Sequence, residues 1–420
     1  MKRPIDTTPF DRERIPPPQN PLIMPALWAF CWLQTRPGRL RIRKVNMQGI
    51  RPPFLVLATH HAFMDFYVTP LALFPHRANY VSELEGFEYY GEWAYRQVGC
   101  LGTRKFVNDL ALVRNIRRVM ERGGILVLYP EARYANVGVS APLPPSTGKL
   151  AKYLKVPVVT LNMKGNYLQS PIWNLKRRKG VRLEATLTGL YTPQQLEQAT
   201  AEQVQEGIRR ALEYDEYAWQ ERTGQRIAAP WRAERLEMPL YQCPVCGTEF
   251  HMHSQGAELF CGNCSSRWRM TELGQLEGPR FSRIPDWYAW EQEQVGKALA
   301  AGCYGLDLAV HVESLPNAVN FIDLGTGRLR HGPEGFELTV TDYGQTEPRT
   351  LRFPARATFS LHTEYDYRGK GQCITLSTPD NTYFIYPLEP GFNATKLQFA
   401  TEQLWQNCQS ERRRRAEALK

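Results

Sequence analysis

Short runs of apolar residues alternate with stretches of helical periodicity in the first half of the chain. Residues 54–59, 125–129 and 156–163 have the length and composition of buried strands. Five apolar residues recur at helical spacing before the second run: Val107, Leu110, Val113, Ile116 and Met120. A short helix is predicted over residues 149–154 and a long polar helix over about 193–220. Strands that alternate with helices predict an α/β sheet flanked by helices.

The pattern changes after residue 240. A cysteine-rich stretch covers residues 243–264, and short β-runs separated by turns begin near residue 305. A final helix is expected from about Asn393, a favourable N-cap residue. The sequence therefore predicts an α/β domain over residues 1–240, a small zinc ribbon over 241–275, and a β-rich domain over 276–420 closed by a helix. The order of strands and helix in the last domain is similar to that of pleckstrin-homology-like barrels.

The amino-acid composition and the length of the chain are typical of a protein with several folded domains. The chain has 420 residues, of which 43% are hydrophobic and 22% charged, and this balance argues against wholesale disorder. The excess of 52 basic over 42 acidic residues favours an anionic partner, which could be a membrane surface, a phosphorylated substrate or a nucleic acid. Residues 21–33 are too short to cross a bilayer, and no signal-peptide pattern follows Lys2 and Arg3, so we expect a cytoplasmic protein.

The amino-terminal region combines apolar and basic residues. Residues 22–33 are rich in Trp and Leu, and the first 60 residues hold 10 Lys and Arg against 3 Asp and Glu. An apolar helix beside basic residues is typical of a segment that lies in the membrane interface. The alternative is a core helix followed by a strand with solvated arginines. The first interpretation predicts peripheral attachment to the inner face of the membrane.

A histidine and a carboxylate follow the first buried strand in the segment 59–65. His60 and Asp65 would lie at the carboxyl edge of the sheet, where open α/β sheets bind their ligands. An imidazole there can deprotonate a hydroxyl, and a carboxylate can fix its tautomer. A core histidine and a helix-capping aspartate would give the same spacing. His61 is expected to be structural.

Further candidate residues follow other predicted strands. Glu131 and Arg133 come after the strand at 125–129, and a guanidinium there can bind phosphate through two hydrogen bonds. The segment 98–105 is a glycine-rich turn that ends in two cations, a second candidate phosphate site. Pro157 is the second residue of the third apolar run.

These candidates lie in four sequence blocks: residues 59–65, 98–105, 129–134 and 156–159. In this order they resemble the motifs of the 1-acylglycerol-3-phosphate acyltransferases, a family of glycerolipid acyltransferases. The resemblance covers roughly residues 25–220. It implies that His60 is the general base and that Asp65 orients it.

The same resemblance assigns substrate-binding roles. It implies that Glu131 and Arg133 hold the glycerol-phosphate part of the acceptor, helped by Gly99, Arg104 and Lys105, and that Pro157 shapes the acyl pocket. The acyl donor would be acyl-CoA or an acyl carrier protein thioester, and that carrier protein is a candidate partner.

The blocks depart from the family pattern in four ways. Thr59 replaces the usual Asn, and Ala62 the usual Ser. The third block is one residue shorter at Ala132, and Lys105 stands where Arg is usual. These departures affect the identity of the acceptor more than the chemistry.

Two CxxC pairs lie 14 residues apart. Cys243, Cys246, Cys261 and Cys264 supply four thiolates, which suits a structural zinc ion with no open coordination position. Two disulfides or an iron site are the alternatives. The ribbon is expected to be a folded spacer, because the basic charge is not concentrated there as a nucleic-acid interface requires.

The sequence thus favours an O-acyltransferase of phospholipid biosynthesis. It would transfer a fatty acyl group from a thioester to a lysophospholipid such as 1-acylglycerol-3-phosphate at a membrane surface. The alternative is a catalytically inactive lipid-binding scaffold that recruits partners through the ribbon and the last domain. Nucleic acid is not an expected partner, and the sequence does not indicate an oligomeric state.

Overall fold

A seven-stranded mixed sheet forms the centre of the first half of the protein. The structure is a computed structural model that describes residues 5–418. The strands are β1 (Arg41–Val45), β2 (Phe54–Ala58), β3 (Asn79–Glu83), β4 (Cys100–Thr103), β5 (Ile125–Leu128), β6 (Val158–Lys164) and β7 (Glu184–Tyr191). Their order is β1-β7-β6-β2-β5-β3-β4, and only the β6–β7 pair is antiparallel. Strand β2 is buried along its whole length, as its continuous apolar run predicts.

Helices connect and flank these strands. They are α1 (Met24–Thr35), α2 (Asp65–Leu73), α3 (Leu84–Tyr90), α4 (Glu92–Gln97), α5 (Leu110–Glu121), α6 (Thr147–Leu154), α7 (Asn166–Gln169), α8 (Pro193–Gln198), α9 (Ala201–Ala211) and α10 (Glu216–Thr223). The single helix predicted over 193–220 is wrong, because Thr192 and Thr200 each form a capping box that starts a separate helix. Among residues 5–418, no helix is both long and apolar enough to cross a membrane.

The parallel strands bring their carboxyl ends to one edge of the sheet, called here the carboxyl edge. The segments that follow β2, β3, β4, β5 and β6 all begin there. This arrangement places residues from distant parts of the sequence side by side.

A small antiparallel sheet carries the two CxxC pairs. It contains β8 (Met252–Gln255), β9 (Glu258–Cys261), β10 (Arg267–Met270) and β11 (Leu276–Glu277). Strand β11 pairs with β10 at one edge of this sheet. A helix that the sequence analysis missed, α11 (Ile284–Ala300), follows it, and its Trp287 ring lies 4.6 Å from that of Trp268.

The last part of the chain forms a second seven-stranded sheet, which is antiparallel. Its strands are β12 (Leu306–Leu315), β13 (Ile322–Gly332), β14 (Gly335–Val340), β15 (Arg349–Pro354), β16 (His362–Glu364), β17 (Cys373–Ser377) and β18 (Thr382–Pro387). The order is β15-β14-β13-β12-β18-β17-β16, and α12 (Ala394–Ala418) follows, capped by the Asn393 side chain as predicted. The pleckstrin-homology-like identity and the three domain boundaries stay predictions.

The two large sheets share buried contacts. Leu315, Phe384 and Tyr386 from the antiparallel sheet belong to the same apolar cluster as Phe54 and Val127 from the α/β sheet. The last part of the chain therefore packs directly against the α/β unit.

Candidate functional site

The turn after β2 brings a histidine and an aspartate together. Nδ1 of His60 lies 3.1 Å from Oδ2 of Asp65, the first residue of α2, and both side chains are buried. A hydrogen bond to the carboxylate requires the proton on Nδ1, which leaves Nε2 as the acceptor nitrogen. Within residues 5–418, no group forms a hydrogen bond with Nε2. The imidazole therefore has the tautomer and the free nitrogen that a general base needs.

Asp65 is itself held by several donors. Its Oδ2 accepts hydrogen bonds from the backbone N–H groups of His61 and Ala62, at 2.6 and 3.2 Å. Its Oδ1 accepts one hydrogen bond, of 2.7 Å, from the side-chain amide of Asn166. Asp65 and Asn166 are fully buried, so the carboxylate is fixed in position.

Asn166 was missed by the sequence analysis. It is the first residue of α7, directly after the turn at Gly165 that ends β6. Its position at the end of a predicted buried strand is the signal that could have identified it, because His60, Asp65, Glu131 and Arg133 were found by that criterion.

Aromatic rings surround the histidine. The centroids of the Tyr129 and Tyr134 rings lie 4.5 Å from that of His60, and the Phe66 ring lies 5.9 Å away. The imidazole is 7% exposed, so only a small part of it reaches solvent. Two surface cavities of about 350 and 440 Å³ lie elsewhere, and neither is lined by His60.

Glu131 lies beside the histidine but does not point toward a free site. Its carboxylate accepts hydrogen bonds from the backbone N–H of His60 and of Ala141 and from the Tyr214 hydroxyl, at 3.4, 3.1 and 3.0 Å. Burial raises the pKa of Glu131 to about 7. The structure therefore gives Glu131 a positioning contact with His60 in place of the acceptor contact that the resemblance implied.

Arg104, a predicted phosphate ligand, is engaged by other groups in the structure. Its guanidinium donates to the carbonyl oxygens of Leu315, Pro316 and Asp380 and to the Thr382 hydroxyl, at 2.6 to 3.1 Å. These partners use both terminal nitrogens, so Arg104 fastens the antiparallel sheet to the α/β unit.

Two other predicted phosphate ligands reach the carboxyl edge but are paired. Arg133 forms a buried ion pair of 3.1 Å with Glu402 of α12. Nζ of Lys105 lies 2.7 Å from Glu83 and 2.9 Å from Nδ1 of His362 in β16. Elements of the last part of the chain thus occupy the positions where a phosphate was expected.

Gly99 and Pro157 are not brought to this edge. Gly99 precedes β4 and Pro157 precedes β6, so both lie at the opposite, amino-terminal edge of the sheet. The register aligns Pro157 with Phe54, six residues before His60, which at about 3.3 Å per residue is a separation of about 20 Å. The structure therefore does not bring Gly99 or Pro157 to His60, and the role of Pro157 in an acyl pocket stays a prediction.

His61 occupies a buried site behind the pair. Its ring lies 3.9 Å from that of Tyr214, and its Nδ1 lies 3.8 Å from the Glu216 carboxylate. Burial lowers the pKa of His61 well below its ordinary range, so the ring is neutral. This environment agrees with a structural residue.

The four cysteines of the CxxC pairs converge. Their sulfur atoms all lie within 4.8 Å of one another, and the Cys243–Cys264 and Cys246–Cys261 distances are 3.7 and 3.8 Å. Tetrahedral zinc with bonds of about 2.3 Å requires sulfur atoms about 3.8 Å apart, so the donor set and its spacing fit a metal ion.

The comparisons with known proteins add one finding. No protein-family model matches the sequence, and no curated protein matches it. A solved structure, the crystal structure of the 1-acyl-sn-glycerophosphate (LPA) acyltransferase PlsC from Thermotoga maritima, is similar over 45% of this chain and 76% of that chain. The identity is 16% and the TM-score 0.39. A likeness of that degree carries no argument about activity, which must rest on the site itself.

Proposed function

We propose that the protein is an O-acyltransferase that moves a fatty acyl group from an acyl thioester to a hydroxyl group of a lysophospholipid. The observation that supports this function best is the buried His60–Asp65 pair at the carboxyl edge, whose Nε2 has no hydrogen-bond partner among residues 5–418. The carboxylate is preorganised by four hydrogen bonds, counting that from His60.

In the proposed reaction Nε2 of His60 accepts the proton of the acceptor hydroxyl as its oxygen attacks the thioester carbonyl. An ester C–O bond forms and the C–S bond breaks. The proton then passes from His60 to the departing thiolate. Asp65 stabilises the imidazolium that exists between these transfers. No covalent enzyme intermediate is needed, because the thioester is already activated. Acyl-CoA and an acyl carrier protein thioester are the proposed donors.

One assay tests this function. Purified full-length protein is given acyl-CoA and a lysophospholipid in detergent micelles, and thiol release is measured with ester formation. The His60→Ala variant is expected to lose about a thousandfold or more in kcat/KM, because its base is gone. The matched control variant is His311→Ala, which removes a partly exposed histidine of the antiparallel sheet. Equal rates in His60→Ala and wild type would refute the mechanism.

We also propose that the protein acts at a membrane surface. Leu22, Phe30, Trp32 and Leu33 are between 46 and 87% exposed in or just before α1. The five residues of β1, which include Arg41 and Arg43, are exposed as well. Apolar side chains beside cations suit an interface that contains anionic lipid.

Vesicle flotation tests the membrane proposal. The double variant Trp32→Ser and Leu33→Ser should lose co-flotation with anionic vesicles. Leu388→Ser removes a leucine that is 54% exposed directly after β18, and it should float like wild type. If the double variant also floats like wild type, α1 is not the attachment site.

For the four cysteines we propose a structural zinc ion. Four thiolates complete its coordination and leave no position for a substrate. Trp268 and Trp287 belong to the same apolar cluster as Cys243 and Cys261. The ion would stabilise this cluster.

A further inference from the structure

A cleft of about 440 Å³ opens between the segment after α1 and the segment before β7. Its lining includes Arg39 and Arg182, together with glycines, a proline and a glutamine, and contains no carboxylate. Glu184, two residues after Arg182, pairs with Lys164 in the register of β6 and β7 and does not line the cleft. A cavity with two cations and no anion in its wall favours a negatively charged ligand.

Both guanidinium groups have donors available for such a ligand. Arg39 is exposed, and within residues 5–418 its side chain forms no hydrogen bond or ion pair. Arg182 is half-buried and donates from Nε to Gln225 and from Nη2 to the carbonyl oxygen of Thr223, at 3.1 and 2.8 Å. These contacts fix the Arg182 side chain and leave its Nη1 free to bind an anion through charge-assisted hydrogen bonds.

The backbone of the cleft adds a further donor at Gly180. Its φ is +76°, and beyond its chain neighbours no described atom lies within 4 Å of the position that a Cβ would take. Its N–H forms no hydrogen bond in the described part of the chain. A glycine with an unpaired N–H lets an anion approach the backbone closely. Lys179, the residue before it, is exposed.

The cleft lies at the carboxyl edge, two to three strands from the histidine. Strand β7 begins at this edge because it runs antiparallel to β6, and the N–H of Leu183 donates to the carbonyl oxygen of Gly38 at 2.9 Å. In the order β1-β7-β6-β2, the residues before β7 and β1 are two and three strands from the turn that carries His60. At about 4.8 Å per strand, the cleft is therefore about 10–15 Å from His60.

This separation decides which substrate phosphate can occupy the cleft. In a lysophosphatidate the reacting hydroxyl oxygen is about four bonds from phosphorus, or about 5 Å when extended, which is too short. In acyl-CoA the pantetheine arm places about 13 bonds between the thioester sulfur and the first phosphorus. That is the length of about four extended peptide residues, or about 15 Å. The donor therefore spans the distance and the acceptor does not.

We propose that the cleft binds the diphosphate end of acyl-CoA through Arg39, Arg182 and the N–H of Gly180, and so places the thioester at His60. This assignment rests on the proposed acyl transfer and names CoA, not a carrier protein, as the carrier of the acyl group. Helix α1 ends at Thr35, directly before the cleft. The nucleotide end would thus stay at the membrane surface, beside the apolar residues that are proposed to enter it.

Equilibrium binding of CoA tests the site without any acyl transfer. Full-length protein is titrated with free CoA by calorimetry. Arg39→Gln should raise Kd by about tenfold, because a charge-assisted contact is lost. Arg39→Gly should do the same and fold normally, because glycine readily adopts the φ of +47° found at Arg39. Arg356→Gln removes an exposed arginine after β15 and should keep the wild-type Kd. Wild type that does not bind CoA at about 1 mM, or Arg39 variants that bind it like wild type, would overturn the assignment.

Donor kinetics link the site to the reaction. Acyl-pantetheine has the same thioester and no phosphate. Wild type should use acyl-CoA with a kcat/KM at least about tenfold higher, and Arg39→Gln should lose most of this preference through KM, with kcat unchanged. Equal use of both donors by wild type would overturn the assignment.

Two other outcomes separate the alternatives. If Arg39→Gln keeps its CoA affinity but loses co-flotation with anionic vesicles, the cleft binds a lipid phosphate and the assignment is wrong. If CoA binding depends on Arg39 but neither donor is used, the site stands and the proposed acyl transfer fails.

Discussion

Replacing Asn166 should impair acyl transfer although Asn166 is not expected to touch a substrate. Oδ1 of Asp65 accepts a hydrogen bond only from Asn166 among the described residues. The Asn166→Ala variant therefore leaves one oxygen of a fully buried carboxylate without a donor. A hydrogen bond to a charged group contributes about 1.5–3 kcal/mol, and we expect the free energy of unfolding to fall by about that amount.

The rate of acyl transfer should fall as well. Asp65 must stabilise the imidazolium that forms on His60, and a carboxylate that has lost a donor can rotate away from Nδ1. A loss of 1.5–3 kcal/mol in the transition state corresponds to about a 10- to 100-fold lower kcat. KM should change little, because Asn166 lies behind Asp65. Asn166→Asp should be impaired as well, because its carboxylate would repel Asp65.

The assay is steady-state acyl transfer at saturating thioester, together with urea unfolding of each variant. Asn162→Ala is the matched control, because its amide donates to the carbonyl oxygens of Ala211 and Glu213, away from Asp65. If Asn166→Ala is folded and its kcat stays within about twofold of that control, the positioning role is refuted.

Three further predictions concern the metal, the contact between the sheets and the pH dependence. Freshly purified, reduced protein should contain about one zinc ion per chain, and Cys261→Ser should lose it and unfold at lower temperature; metal analysis that finds no zinc would contradict this. Arg104→Ala should lower the free energy of unfolding by about 2–4 kcal/mol in urea, because three carbonyls and a hydroxyl lose their donor, and an unchanged midpoint would refute the fastening role. Burial raises the pKa of Glu131 to about 7, so the folded protein favours the protonated carboxyl group. The contribution of Glu131 to stability is therefore fully present below about pH 4.5 and is lost as the pH rises through 7. This loss in the free energy of unfolding is on the order of 3 kcal/mol, because a tenfold change in proton affinity corresponds to about 1.4 kcal/mol. In urea titrations between pH 5 and 8, the free energy of unfolding of Glu131→Gln should therefore decline less than that of the wild type.

Strong apolar runs were sufficient to locate the central strands. Residues 54–59 and 125–129 became β2 and β5, because buried parallel strands need continuous apolar sequence. Strands β3 and β4 were missed because their sequences are partly polar and do not form continuous apolar runs. Helix α11 also escaped notice, since its charged and aromatic residues lack a clear apolar stripe.

The candidate site was predictable where it depends on local sequence. His60 and Asp65 are five residues apart on one turn, and their spacing alone brings them together. The surroundings depend on contacts between distant segments. Arg104 meets carbonyl groups more than 200 residues later in the chain, and Arg133 meets Glu402 in the last helix. Such pairings follow from how the two sheets pack, which the sequence pattern does not specify.

The same packing changes the role that can be assigned to a basic residue near the site. Arg104 and Arg133 were interpreted as free cations because the antiparallel sheet was treated as a separate domain. In the structure the antiparallel sheet binds the Arg104 guanidinium through uncharged oxygen atoms, and Glu402 of α12 forms an ion pair with Arg133. Charge at a site must therefore be counted with all the elements packed against it.

The most direct test of the central claim is a double-mutant cycle on His60 and Asp65 in acyl transfer. If the two residues act as one unit, His60→Ala should lose about a thousandfold in kcat/KM, and adding Asp65→Asn should cost less than about threefold more. Independent effects that multiply, or a His60→Ala variant as active as wild type, would contradict general-base catalysis by this pair.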